Sequence, residues 1–66
     1  MSSSTAAELS SIADALGRYE QRVAGLATPY LGSDREDLLA ALYEVERILR
    51  QAGRHCERAA RIARSS

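Results

Sequence analysis

Two stripes of apolar residues, each alternating steps of three and four, constrain the fold of this chain more than any other feature. The first stripe comprises Leu9, Ile12, Leu16, Tyr19, Val23 and Leu26, and the second comprises Leu38, Leu42, Val45, Leu49, Ala52, Cys56, Ala59 and Ala63. This spacing places each stripe along one side of an α-helix and is typical of the core positions of helical bundles. The sequence therefore predicts an all-α chain with two amphipathic helices.

Capping and turn residues predict where each helix begins and ends. Thr5 and Ser33 each precede a glutamate by three residues, which is the capping-box pattern of a helix start. Pro29 disfavours the α conformation in the residue before it, so the first helix should end near Ala27. We therefore expect a hairpin domain at 5–64, with helices over about 5–27 and 34–63 and with tails at 1–4 and 65–66.

The two stripes have a register that suits an antiparallel hairpin with a short turn. Pairs from Leu26 with Leu38 to Leu9 with Cys56 have nearly constant number sums, so the stripes should face each other layer by layer. The second stripe also has an apolar flank, at Ala41, Ile48 and Ile62, that a two-helix seam does not need. We expect this surplus to pair two hairpins into a four-helix bundle. The predicted self-association residues are Leu38, Leu42, Val45, Ile48, Leu49, Ala52, Cys56 and Ile62.

The size of the chain supports this expectation. A domain of 66 residues buries only about 60% of the surface of its unfolded chain, so its stability alone is marginal. One cysteine cannot form an intrachain disulfide, and no zinc-ligand spacing occurs. A partner subunit is the remaining source of stability. The sequence therefore favours a homo-oligomeric structural or protein-interaction module, which binds a second copy of itself or another helical protein.

A second hypothesis rests on the basic residues, all nine of which are arginine. Six of them lie within residues 47–66, where the only acidic residue is Glu57. Guanidinium groups on one helix face could neutralise phosphates, which would make the protein a dimeric nucleic-acid-binding or regulatory accessory protein. The net charge of zero favours a solvated face over this alternative. The candidate polyanion-binding residues are Arg47, Arg50, Arg54, Arg58 and Arg61.

The sequence does not predict an enzyme, a cofactor or a metal site. It contains no phosphate-binding loop, nucleophile elbow or zinc signature. His55 and Cys56 are adjacent and point about 100° apart on a helix, so they are poorly placed to hold one metal ion. A ligand- or metal-binding bundle that uses these two residues and Tyr19 is the third and weakest hypothesis. Glu20, Glu44 and Glu46 should lie on a solvated face.

Location and ancestry are weakly constrained by the sequence. No signal peptide or long apolar run is present, and the single thiol suits a reducing compartment, so we expect a cytoplasmic protein without a membrane span. The Lys-free, Arg-rich composition is typical of a high-GC bacterium. With Tyr30, Leu31 and Gly32 at its turn, the hairpin resembles two-helix WXG-type proteins, and Val45–Ile48 followed by His55 resembles helices of phosphate-uptake regulators. The characteristic residues of both families are absent, so neither resemblance implies a residue role.

Overall fold

The computed structural model describes residues 2–65 and consists of two long helices that pack along each other. Helix α1 spans Ser2–Ala27, helix α2 spans Glu36–Ser65, and a 3-10 helix, Thr28–Tyr30, follows α1 directly. The hairpin is a rod with extents of 51 × 13 × 10 Å. The predicted all-α hairpin is confirmed, although α1 begins at Ser2, ahead of the expected cap at Thr5. Met1 and Ser66, which belong to the predicted tails, lie outside the described residues.

The turn is closed by Ser33 and Gly32. The end of α1 at Ala27, just before Thr28 and Pro29, agrees with the expected effect of proline. Gly32 has a φ of +75°, a left-handed conformation that favours glycine. The Ser33 hydroxyl donates to the Tyr30 carbonyl at 2.6 Å and accepts from the Arg35 N–H at 3.1 Å. Ser33 therefore closes the turn and does not form the predicted capping box.

Helix α2 starts at Glu36, two residues after the position that the sequence predicts. The Arg35 carbonyl accepts the first hydrogen bond, from the Leu39 N–H at 3.1 Å. The Asp37 carboxylate lies in the first helical turn, where the backbone dipole favours negative charge. A hydrogen bond from the backbone N–H of Leu38 is the main cause that lowers the pKa of Asp37. A second cause is the Arg35 side chain, whose Nε lies 3.2 Å from the Asp37 carboxylate.

The packing of the two helices corrects the predicted rotation of each helix about its own axis. Ile12, Tyr19 and Leu26 are exposed, and so is Val45 on α2. The seam between the helices instead includes Ala6 and Ala27 on α1 and Ala60 on α2, all of which are buried. The two apolar stripes therefore do not close on each other layer by layer, because part of each stripe points away from the seam.

Candidate self-association surface

Two grooves along the hairpin show which rows of side chains share a side of the molecule. Residues seven apart lie on the same helix face. The row of Ala13 and Glu20 on α1 lines these grooves together with the row of Glu46 and Gly53 on α2. Charged residues surround the grooves, namely Asp14, Arg18, Arg50, Arg54 and Glu57. We call this side of the hairpin the polar face.

The opposite side of the hairpin is apolar, and we call it the apolar face. On α1, Ile12 and the residues seven positions from it lie on the side of the helix that faces away from the groove-lining Ala13. On α2, Val45 and the residues seven positions from it lie on the side that faces away from Gly53. The apolar stripes therefore converge on one common surface. The face comprises Leu9, Ile12, Leu16, Tyr19, Val23 and Leu26 of α1 and Leu38, Leu42, Val45, Ile48, Leu49, Ala52, Cys56, Ala59 and Ile62 of α2.

The large side chains of the apolar face are only partly covered. The exposed fractions of Ile12, Tyr19, Leu26, Val45, Ile48 and Ile62 lie between 43% and 60%. Even the residues nearest the seam, such as Leu16 and Leu49, are half-buried. The eight predicted self-association residues lie on this face or at its border with the seam, where Leu49 also lines a groove of the polar face. The sequence therefore identified the members of one surface, but it assigned part of that surface to the contact within the hairpin.

The hairpin has almost no interior of its own. Among the described residues, the buried apolar side chains are three alanines, Ala6, Ala27 and Ala60. The accessible surface is 4856 Å², whereas a compact monomer of this mass exposes about 4100 Å². The radius of gyration is 15.3 Å, compared with about 11 Å for a compact domain of this length. Large apolar side chains thus remain in contact with water along the whole rod.

The polar face contains two glutamates that the sequence assigned to a solvated surface. Glu20 and Glu46 are half-buried beside the seam, in the rows of Ala13 and Gly53. Arg50 donates to the Glu20 carboxylate at 3.0 Å and links the two helices. Arg50 on the neighbouring helix therefore balances the negative charge of the half-buried Glu20.

The arginines predicted to bind polyanions fall into two groups. Arg47 and Arg50 have carboxylate partners, with Arg47 Nε 2.9 Å from Glu44. This bond lowers the pKa of Glu44 and raises the pKa of Arg47. Within residues 2–65, the other three predicted residues form no ion pair; these are Arg54, Arg58 and Arg61. They are exposed on the second half of α2.

The remaining candidate residues are not brought together as a site. Cys56 is a half-buried free thiol on the apolar face, and His55 beside it is exposed. Tyr19 lies near the middle of α1, and the Arg22 guanidinium sits 5.5 Å from its ring centre. No group of three His, Cys, Asp or Glu side chains among residues 2–65 could hold a metal ion.

Sequence reasoning did not assign the rows of small residues to the seam. Ala6, Ala13 and Ala27 recur at multiples of seven on α1, as Gly53 and Ala60 do on α2. These small residues are buried or half-buried, whereas large side chains such as Ile12 and Ile48 are exposed. This second heptad pattern was the available signal, and the stronger leucine stripe obscured it.

Comparison with known proteins adds no assignment to this surface. No known protein family, curated protein or solved structure shows significant similarity to the chain. Over the described residues, neither helix contains a stretch that is long and apolar enough to cross a bilayer.

Proposed function

We propose that this protein is a self-associating helical module in which two hairpins pack their apolar faces together as a four-helix bundle. The observation that carries the proposal is that the exposed large apolar side chains of the two helices, apart from Tyr43, lie on one face of the hairpin. A hairpin with a single apolar face is half of such a bundle, because the core forms when two faces meet. The function is then structural, namely the presentation of two polar outer faces from one rigid rod.

The dimensions of the face support a second copy as its occupant. The two longer extents of the hairpin outline a side of about 660 Å², which is of the same order as the roughly 800 Å² of accessible surface that each partner buries in a stable protein complex. Monomeric proteins rarely expose an apolar patch larger than a few hundred Å². A second copy offers an apolar surface of the same length, whereas a shorter partner would leave part of the face in water.

Co-purification of two differently tagged copies tests the proposal. We expect the second tag to be retained when the first is captured, and to be lost when both copies carry Val45→Glu, which places a charge in the centre of the face. Gln21→Glu is the matched control, because it adds the same charge at an exposed position that lines the polar face. Equal retention of the two variants, or no retention of the wild-type chain, would contradict the proposal.

A second candidate function is the binding of a polyanion by Arg54, Arg58 and Arg61. Their exposure and their lack of carboxylate partners among the described residues favour it. Retention on immobilised RNA or DNA at low salt, and its loss in Arg54→Gln combined with Arg58→Gln, is the expected result. An unchanged elution volume on both matrices at low salt would refute this candidate.

A further inference from the structure

Two hairpins can bring their apolar faces together in two symmetric ways, and the structure distinguishes between them. In the aligned arrangement both turns lie at the same end of the bundle, and α2 packs on the partner's α1. In the opposed arrangement the turns lie at opposite ends, and α2 packs on the partner's α2. Resting on the proposed self-association, we infer that the hairpins adopt the opposed arrangement. Two independent features, one of α2 and one of the whole hairpin, carry the inference.

The first feature is a taper in side-chain size along the apolar face of α2. The half nearer the turn carries large residues, Leu38, Leu42, Val45, Ile48 and Leu49. The half nearer the open end carries mostly small residues, Ala52, Cys56 and Ala59, with Ile62 as the exception. The face of α1 has no such taper, since large residues recur from Leu9 to Leu26.

Close packing of the bundle core requires layers of similar volume. In the opposed arrangement, the large half of each α2 meets the small half of the partner's α2, so the thickness of the core stays even. In the aligned arrangement, Leu38 and Leu42 would meet large residues of α1, such as Val23 and Leu26, whereas at the open end the small residues of α2 would meet Leu9 and Ile12. The core of that bundle would hold more side-chain volume at the turn end than at the open end. The taper therefore fits the opposed arrangement.

The second feature is the charge difference between the two ends of the rod. Residues 17–49, the half that holds the turn, carry six carboxylates and four arginines. Residues 2–16 and 50–65 carry three carboxylates and five arginines. The opposed arrangement brings ends of opposite sign together, whereas the aligned arrangement brings like signs together. Salt screens this effect beyond about 8 Å, so charge adds to the effect of packing and does not replace it.

Distances between spin labels test the arrangement. One nitroxide per chain is attached at Asp34→Cys, in the exposed turn, in a Cys56→Ala background, and double electron–electron resonance is measured in the dimer. The opposed arrangement predicts a separation of about 45 Å, since the 30 residues of α2 rise about 1.5 Å each. The aligned arrangement predicts less than about 25 Å, because neighbouring helix axes lie about 8–10 Å apart.

A label at Gln51→Cys in the same background is the matched control. This position lies near the middle of the rod, so it gives a short distance in either arrangement and reports association itself. A long distance from residue 34 together with a short one from residue 51 supports the inference. Short distances from both labels overturn it and leave the proposed self-association standing. The absence of dipolar coupling from both labels overturns the self-association as well.

Discussion

Truncation of Ile48 to alanine is the most informative perturbation of the apolar face, because it separates a lone hairpin from a dimer. The Ile48 side chain is 51% exposed in the hairpin. Full burial of an isoleucine side chain is worth about 1.5–3 kcal/mol, so covering the exposed half contributes about 0.8–1.5 kcal/mol per copy. Alanine has the higher helix propensity, which offsets part of any loss within the hairpin.

The expected effect on assembly follows from the two copies of Ile48 in a dimer. Their combined loss is about 1.5–3 kcal/mol, which corresponds to a roughly 10- to 150-fold weaker dimer. Sedimentation and thermal unfolding over a range of protein concentrations measure this change, because the melting temperature of a dimer depends on its concentration. Gln21→Ala is the control, since it shortens an exposed side chain on the polar face. Equal dissociation constants for Ile48→Ala and Gln21→Ala would refute the reasoning.

Three further predictions concern the hairpin itself. Gly17→Ala should raise the free energy of unfolding by about 0.8–1 kcal/mol in thermal unfolding, because alanine has the higher helix propensity and the added Cβ meets no atom within 4 Å. Gly32→Ala should lower the free energy of unfolding, because Gly32 has a φ of +75°. A Gly32→Ala variant that is more stable than Gly17→Ala would contradict this account. Asp37→Asn should lower stability at pH 7 in circular-dichroism melts. Since the pKa of Asp37 is depressed, this contribution is lost as the pH falls below about 4, and a difference that persists at pH 2 would exclude the carboxylate as its source. A double-mutant cycle on Glu20 and Arg50 should give a coupling of about 0.2–1 kcal/mol that weakens with salt, and a coupling of zero would show that this pair is not formed in solution.

The sequence was sufficient for the fold class and the turn. Leucines at alternating spacing, Pro29 and the Gly32 turn define two helices and their connection, because these effects are local to the chain. The rotation of each helix about its axis was harder to predict. It depends on whether the large row of Ile12 or the small row of Ala13 enters the seam, which is decided by close packing between helices and not by hydrophobicity alone.

The candidate self-association surface could also be predicted only in part from the sequence. The eight residues expected to associate follow one side of α2, since hydrophobic spacing specifies a helix face, and their self-association stays a prediction. Their combination with Ile12, Tyr19 and Leu26 into a single apolar face follows only once the hairpin geometry is known. The Glu20–Arg50 pair was also beyond prediction, because it joins residues thirty positions apart. The sequence supported only helical pairs three or four residues apart.

Sedimentation equilibrium of the wild-type chain tests the central claim most directly, since the claim is that a second copy covers the apolar face. The chain has a mass of 7.2 kDa. We expect a species of twice that mass at micromolar concentration, dissociating on dilution together with a loss of helical signal. A folded, helical species at the mass of one chain across the whole concentration range would contradict the account.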